Sequence, residues 1–294
     1  MNSHNSINQD TCKQCNSCIL VCPNKIIEKL TNGKTEFNSD KIDYCLMCGQ
    51  CMAVCSTKSV TVNGLDYGKE IIEYSKTSTE YKDIYNLLLT RRSVRNFKST
   101  PVPEEIIKKI TDIISLAPYG ALHDKVEITI VNDKSKIDKA LPVLSAFYDK
   151  LDKWMGNPFM RYMIKHKLSV EKFNNIDKHL KPNLRRKHYD ISKGIDNITR
   201  NAQGMMIFHA PLIAEEHTED SMIYVTYAAI AAHSLGLGAT INGLIPPAIN
   251  KTSELKQMFK IPDNHEAIAS LIFGYPKVHY LYGITRNRIK TNWV

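Results

Sequence analysis

The 294-residue chain contains no apolar run approaching the roughly 20 residues that a membrane span needs. Its opening, "MNSHNSINQD", has neither the basic nor the apolar region of a secretory signal. Both absences point to a cytoplasmic protein without a membrane partner. Cysteine is absent after Cys55, and arginine is absent from residues 1 to 68. No GxGxxG follows a strand-like stretch, so the phosphate cradle of a Rossmann dinucleotide site is missing. The length still allows a substantial buried core, divided into one large domain and one small one.

What is present begins with eight cysteines packed between residues 12 and 55. In a reducing cytoplasm such clustered thiols are metal ligands sooner than disulfides. Cys12, Cys15, Cys18 and Cys22 recur as Cys45, Cys48, Cys51 and Cys55, each shifted by 33, and Ile27 recurs as Val60. That is an internal duplication, which implies pseudo-twofold symmetry. Structural zinc takes four ligands, usually as two separated cysteine pairs. Here three cysteines at steps of three are followed by a fourth after three more residues, the run in which three thiolates hold one cubane and the fourth ligates another.

On that spacing, residues 10 to 62 resemble the two-cluster 4Fe-4S ferredoxins of bacteria. The resemblance implies one cluster on Cys12, Cys15, Cys18 and Cys55, and a second on Cys22, Cys45, Cys48 and Cys51. Pro23 matches the usual proline after the fourth cysteine, whereas Ser56 stands there in the second copy. A domain of about 65 residues depends on such centres for stability.

The expected division is a cluster domain over 1–65, a connector over 66–80, and a larger α+β domain over 81–294. Helical spacing starts at Tyr81 with Ile84, Leu87 and Leu88 on one face. "PVPEEIIKKITDIISLAP" predicts a helix with Pro103 at its first position and a stop at Pro118. Residues 126–133, 205–216 and 266–276 are strand candidates, and "SMIYVTYAAIAAHSLG" at 221–236 is apolar on nearly every side, as a central helix would be. "TSELKQMFK" at 252–260 reads as a short helix capped by Thr252 or Ser253. A basic, helical insert near 140–200, of lid type, separates the first two strands.

The formal charge is +9. Residues 1–68 balance six lysines against six acidic residues, while Lys150–Arg200 holds 13 Lys/Arg against 5 Asp/Glu. This surplus is either a solvated face or a lure for an anionic substrate, an acidic protein or nucleic acid. Without an aromatic ladder beside the charge, nucleic acid is set aside as a partner.

"RRSVRNF" places Arg91, Arg92, Ser93 and Arg95 within five residues, donors suited to a phosphate. Arg286 and Arg288 stand two apart near the other end, so an extended backbone points both to one side. "RRSVRNF", "PVPEEII", "LAPYG", "GLGATINGL", "FGYPK" and the closing arginines follow the order seen in the nitroreductase family of FMN-dependent reductases. The chain resembles that family over residues 80–294, apart from the basic insert. The resemblance implies a nitroreductase-like fold, a mixed sheet flanked by helices in a homodimer, with FMN at the subunit interface. It assigns Arg91, Arg92, Ser93, Arg286 and Arg288 to the FMN phosphate and ribityl chain, and Arg95 to the flavin N1/O2 edge. Asn242 and Gly243 match the turn whose backbone approaches N5, and Pro118, Tyr119 and Gly120 match a loop packing on the ring from the other subunit.

Leu122 and Asp124 depart from the polar residues usual in that loop, which leaves Tyr119 and His123 as candidates for shaping the pocket or moving a proton. His209 and His233, on apolar segments, read as packed core residues. The resulting expectation is an iron-sulfur flavoprotein oxidoreductase. It would take electrons from a donor such as reduced ferredoxin or NAD(P)H and pass them through two 4Fe-4S clusters and FMN to a nitroaromatic, quinone or activated alkene. The alternative is a module passing electrons between proteins with no small substrate.

Overall fold

A computed structural model describes residues 4–74, 78–120, 125–167, 169–175, 178, 181–285 and 289–294. The chain divides into two units, Met1–Ser78 and Thr79–Val294.

The first unit contains β1 (Ser6–Ile7), α1 (Ser17–Val21), β2 (Ile27–Lys29), β3 (Thr35–Phe37), α2 (Gln50–Ala53) and β4 (Val60–Thr61). β1 pairs antiparallel with β4 and so joins the start of the unit to its end, while β2 and β3 form a hairpin. The duplication seen in the cysteines is written into the backbone. Gln14 and Met47, Asn16 and Gly49, and Lys25 and Lys58 all adopt positive φ, each pair again 33 apart. These left-handed residues turn the chain sharply around each cysteine run, at a steric cost that glycine alone avoids. Ile27 and Val60, the matched apolar pair, are both buried, together with Ile7, Ile26, Met52 and Val62. Part of the expected connector also belongs here. Tyr67 and Ile71 pack against this core beside Leu65, and the Tyr67 hydroxyl donates to the Met52 carbonyl at 3.1 Å.

The second unit contains, in order, α3 (Tyr81–Thr90), α4 (Glu104–Ile114), β5 (Glu127–Val131), α5 (Lys134–Gly156), α6 (Pro158–Lys167), α7 (Val170–Asn175) and α8 (Lys181–Ser192). These are followed by β6 (Gly204–Pro211), α9 (His217–Ser234), β7 (Gly238–Ile241), α10 (Ile245–Lys251), α11 (Ser253–Met258) and β8 (His265–Gly274). The four strands lie in the order β5-β6-β8-β7, every pair antiparallel. The parallel component is a bridge from Ser93 to Ala239, where residues 91–97 run along the β7 edge.

Successive β6 side chains point to opposite faces. Met205 and Ile207 face a core with Ile137, Leu144, Leu184 and Ile249, while Met206 and Phe208 face Ile110, Ile114, Val225 and Ala228. The sheet is therefore covered on both sides, which explains why β6 is apolar from Gly204 to Phe208. α9 buries Tyr224, Val225, Ala228, Ala229, Ala231 and Ala232 against this core but leaves Met222 and Thr226 exposed, so it is enclosed on part of its circumference rather than on nearly every side. Pro103 caps α4 from outside with φ −60° instead of filling its first position. The basic insert is helical, and α5 and α8 contribute Ile137, Ala140, Leu144 and Leu184 to the core, so this region is anchored rather than laid over the fold. Among the described residues, no helix is long and apolar enough to cross a membrane.

Candidate functional site

The first unit sorts its eight thiols into two fours. Cys12, Cys15, Cys18 and Cys55 line one concavity of about 380 Å³, its open mouth included. Cys22, Cys45, Cys48 and Cys51 line another of about 370 Å³. Electrostatic coupling follows the same partition. Burial pushes the Cys51 thiol up to about 12, reinforced by Cys48, Cys45 and Cys22. Burial also raises Cys18, with Cys12 and Cys15 adding to it. Crowded, buried thiols resist ionising together, although a hydrogen bond from Ser17 lowers Cys15, and bound iron would stabilise the thiolate form.

Backbone amides add fixed dipoles at equivalent positions. Ile26 N donates to Cys22 Sγ at 3.4 Å and Ser59 N to Cys55 Sγ at 3.2 Å. Around the first concavity, Gln14 N donates to Cys12 Sγ at 3.4 Å. The donor set, its spacing and the amides all suit cubane ligation.

In the second unit, "RRSVRNF" is positioned by the sheet edge. Val94 N donates to Ala239 O at 3.0 Å, and Lys98 N to Tyr275 O at 2.8 Å. A β-carbon on Gly238 would fall 2.6 Å from Val94 Cγ1, so glycine there is what lets the segment approach. Arg91 caps the end of α3, and beside it Thr90 Oγ1 lies 3.0 Å from His233 Nε2 in the last turn of α9. Burial and the Arg91 charge together hold His233 below its usual range.

Arg92 Nε is buried with no hydrogen-bond partner among the described residues. A sequestered guanidinium N–H needs an acceptor, and an anionic oxygen supplies one. Arg95 is exposed and donates from Nη1 to Ser93 O at 3.3 Å. The parallel bridge carries it toward the end of β7, where Asn242 and Gly243 follow.

Asn242 is directed inward. Its N–H donates to Ser270 O, its carbonyl accepts from Ser270 Oγ, and its side chain bonds Ile198 O and Leu244 N. It holds the turn from within, and the outward-facing backbone is that of Gly243. Gly243 borders an open concavity of about 1490 Å³ shared with Phe147, Leu212, His217 and Pro246. Tyr148 of α5, which no sequence pattern singled out, donates its hydroxyl to Leu244 O at 2.5 Å and braces the same turn.

Pro118 and Tyr119 are exposed, and Gly120 N donates to Asp220 Oδ1 at 2.9 Å, near the start of α9. A β-carbon on Gly120 would lie 1.8 Å from Glu216 Oε2. This loop is tied to one end of α9 and Arg91 to the other. Thirteen residues of helix separate Asp220 from His233, about 20 Å at 1.5 Å per residue. One chain therefore does not bring Pro118–Gly120 together with Arg91–Ser93. Leu122, His123, Asp124, Arg286 and Arg288 lie outside the described residues.

Several solved structures share this architecture. A nitroreductase with bound FMN from Bacteroides fragilis superposes with a TM-score of 0.55 at 15% identity, covering 72% of this chain and 98% of that one. A nitroreductase with bound FMN from Desulfitobacterium hafniense gives 0.52 at 17% identity, covering 71% and 97%. An iodotyrosine deiodinase bound to FMN and 3-iodo-L-tyrosine gives 0.51 at 18% identity, covering 72% and 98%. No curated protein matches the chain. Residues 4–56 match the model of a 4Fe-4S dicluster domain, and residues 88–275, well over half of the chain, match that of the nitroreductase family. The chain thus belongs to the nitroreductase family and carries a 4Fe-4S dicluster domain ahead of its nitroreductase domain.

Proposed function

We propose that this protein is an FMN-dependent oxidoreductase in which two 4Fe-4S clusters serve as the electron inlet and a small conjugated electrophile, a nitroaromatic, quinone or activated alkene, is the acceptor. The observation that carries the reading is the joining, in one chain, of two four-thiol sites to a nitroreductase domain whose Arg92 has a buried donor without an acceptor. FMN in the related structures supports the cofactor, and the deiodinase, bound to FMN and 3-iodo-L-tyrosine, supports a planar substrate class. When bound, the clusters supply single electrons and FMN supplies hydride transfer.

The chain's own residues do the rest. Arg91, Arg92 and Ser93 hold the phosphate end, joined in this reading by Arg286 and Arg288. Arg95 places a fixed positive charge where a reduced flavin becomes negative at its N1/O2 edge. Gly243 offers backbone with no side chain to obstruct approach. The separation of about 20 Å along α9 supports a homodimer, in which Pro118, Tyr119 and Gly120 meet the cofactor held by the partner's arginines. Tyr119 shapes the pocket, and in this reading His123 supplies a proton. The open concavity beside Gly243 supports a small-molecule acceptor over a purely protein-to-protein electron module.

The test is anaerobic turnover of a panel of nitroaromatic and quinone acceptors, with reduced ferredoxin or NADPH as donor. Steady turnover is expected with at least one pair. A reconstituted protein whose flavin is reduced by the donor but reoxidised by none of the acceptors would favour the electron-module reading.

A further inference from the structure

At one end of the four-stranded sheet, three adjacent strands bring together side chains unrelated to the cysteines. Glu127 opens β5 and lies directly opposite His209 on β6, and His265 opens β8 opposite Pro211. Directly paired residues share a face, as do residues two apart on a strand, so all three project to the same side. His209 Nδ1 and His265 Nδ1 are 2.9 Å apart, and His265 Nε2 lies 4.0 Å from Glu127 Oε1. One ligand atom of each residue lies within 4.8 Å of those of the other two.

The contact between the two Nδ1 atoms is a hydrogen bond between two buried rings, so at least one Nδ1 carries a proton that a bound ion would displace. A neutral imidazole offers a lone pair on one ring nitrogen, which makes histidine the commonest metal ligand. Thr129 Oγ1 lies 3.0 Å from His209 Nε2, the kind of partner that orients a ligating ring and leaves the other nitrogen for an ion. Two imidazoles and a carboxylate suit zinc and ferrous ions. At metal–nitrogen distances of about 2.0–2.1 Å, two ligating nitrogens stand about 2.9 Å apart at a right angle and about 3.4 Å apart at a tetrahedral one, so small ring movements suffice. Access exists as well: the Glu127 side chain is 58% exposed, and His265 borders the open concavity beside Gly243.

We propose that Glu127, His209 and His265 form a binding site for one divalent transition-metal ion, made without any of the eight cysteines. The experiment uses the full chain with its clusters intact, freed of loosely bound metal on a chelating resin and titrated anaerobically with Zn²⁺ alone by calorimetry. Co²⁺ then serves as an optical probe. One Zn²⁺ per chain beyond the cluster iron is expected. Glu127→Gln should weaken binding by about tenfold or more, His265→Gln should abolish it, and Co²⁺ should give visible d–d bands without sulfur-to-metal charge transfer. No ion beyond the cluster iron, binding unchanged in Glu127→Gln, or a thiolate charge-transfer band would overturn the proposal. Because the Glu127 side chain is largely exposed, its glutamine variant keeps the test decisive should His265→Gln fail to fold.

Discussion

Arg92 shows how far a single residue can be read in advance. Its place in "RRSVRNF" signals an anion site, but the buried Nε without an acceptor emerges only when the segment is laid along β7, more than 140 residues away in sequence. Arg92→Leu should weaken FMN retention by about ten- to a hundredfold, the range for losing a charge-assisted hydrogen bond. Arg92→Lys should not restore it, because lysine lacks the planar Nε donor. Flavin fluorescence released on gel filtration measures both. Cys22 makes the complementary case, since the repeat alone pointed to its company with Cys45, Cys48 and Cys51, and all four line one concavity. Cys22→Ala should lose that centre and spare the other, lowering iron and sulfide from about eight to about four per chain. Loss of the Cys12, Cys15 and Cys18 centre alone would contradict the assignment. His209 was legible as a buried residue, but its neighbours were not, because Glu127 and His265 reach it only through strand pairing.

Among the elements, legibility followed periodicity and length. α4 and α9 announce themselves by apolar spacing, and β6 by the apolar run that ends at Phe208. β7 does not: it has four residues, begins with glycine and is specified by what crosses it. Its partner segment needs the missing β-carbon of Gly238, where any larger residue meets Val94. Gly238→Ala should therefore destabilise the protein by about 1–3 kcal/mol, as overpacking does, and should also lower flavin content by shifting Arg92. Chemical denaturation and the flavin-to-protein absorbance ratio report the two effects, and a variant with unchanged values would remove the edge from the account. α10 likewise escaped pattern reading, since Pro246 and Pro247 at its start look like a loop until seen as the first helical turn.

For the whole molecule, the two units differ in what holds them. The first has a small apolar core around Met52 and Ile27 and eight thiols in two sites, whereas the second covers a sheet on both faces. Removing iron with a chelator should lower the melting transition of the first unit and leave that of the second nearly unmoved, which calorimetry with and without reconstitution resolves. Acid should act on the second unit. His209 is held at about 4 by burial and by His265, with Glu127 opposing, whereas an unfolded histidine titrates near 6.5. The unfolded chain thus binds the extra proton first, so stability should fall as pH drops from about 6.5 toward 4. In metal-free protein, replacing His209 with Asn should flatten that slope, and an unchanged slope would assign it elsewhere. The proposed dimeric site was legible only as a resemblance, because the distance along α9 that keeps Gly120 from Arg91 is a property of the folded chain.

The central claim, that the cysteine unit feeds electrons to a flavin in the nitroreductase unit, is met most directly by stopped-flow reduction. Reconstituted protein with FMN and about eight iron and eight sulfide per chain would be mixed anaerobically with reduced ferredoxin while flavin bleaching is followed, beside Cys22→Ala. Rapid bleaching that is lost or slowed at least tenfold in Cys22→Ala, with flavin content unchanged, is the predicted result. Bleaching at the same rate in both proteins would contradict it.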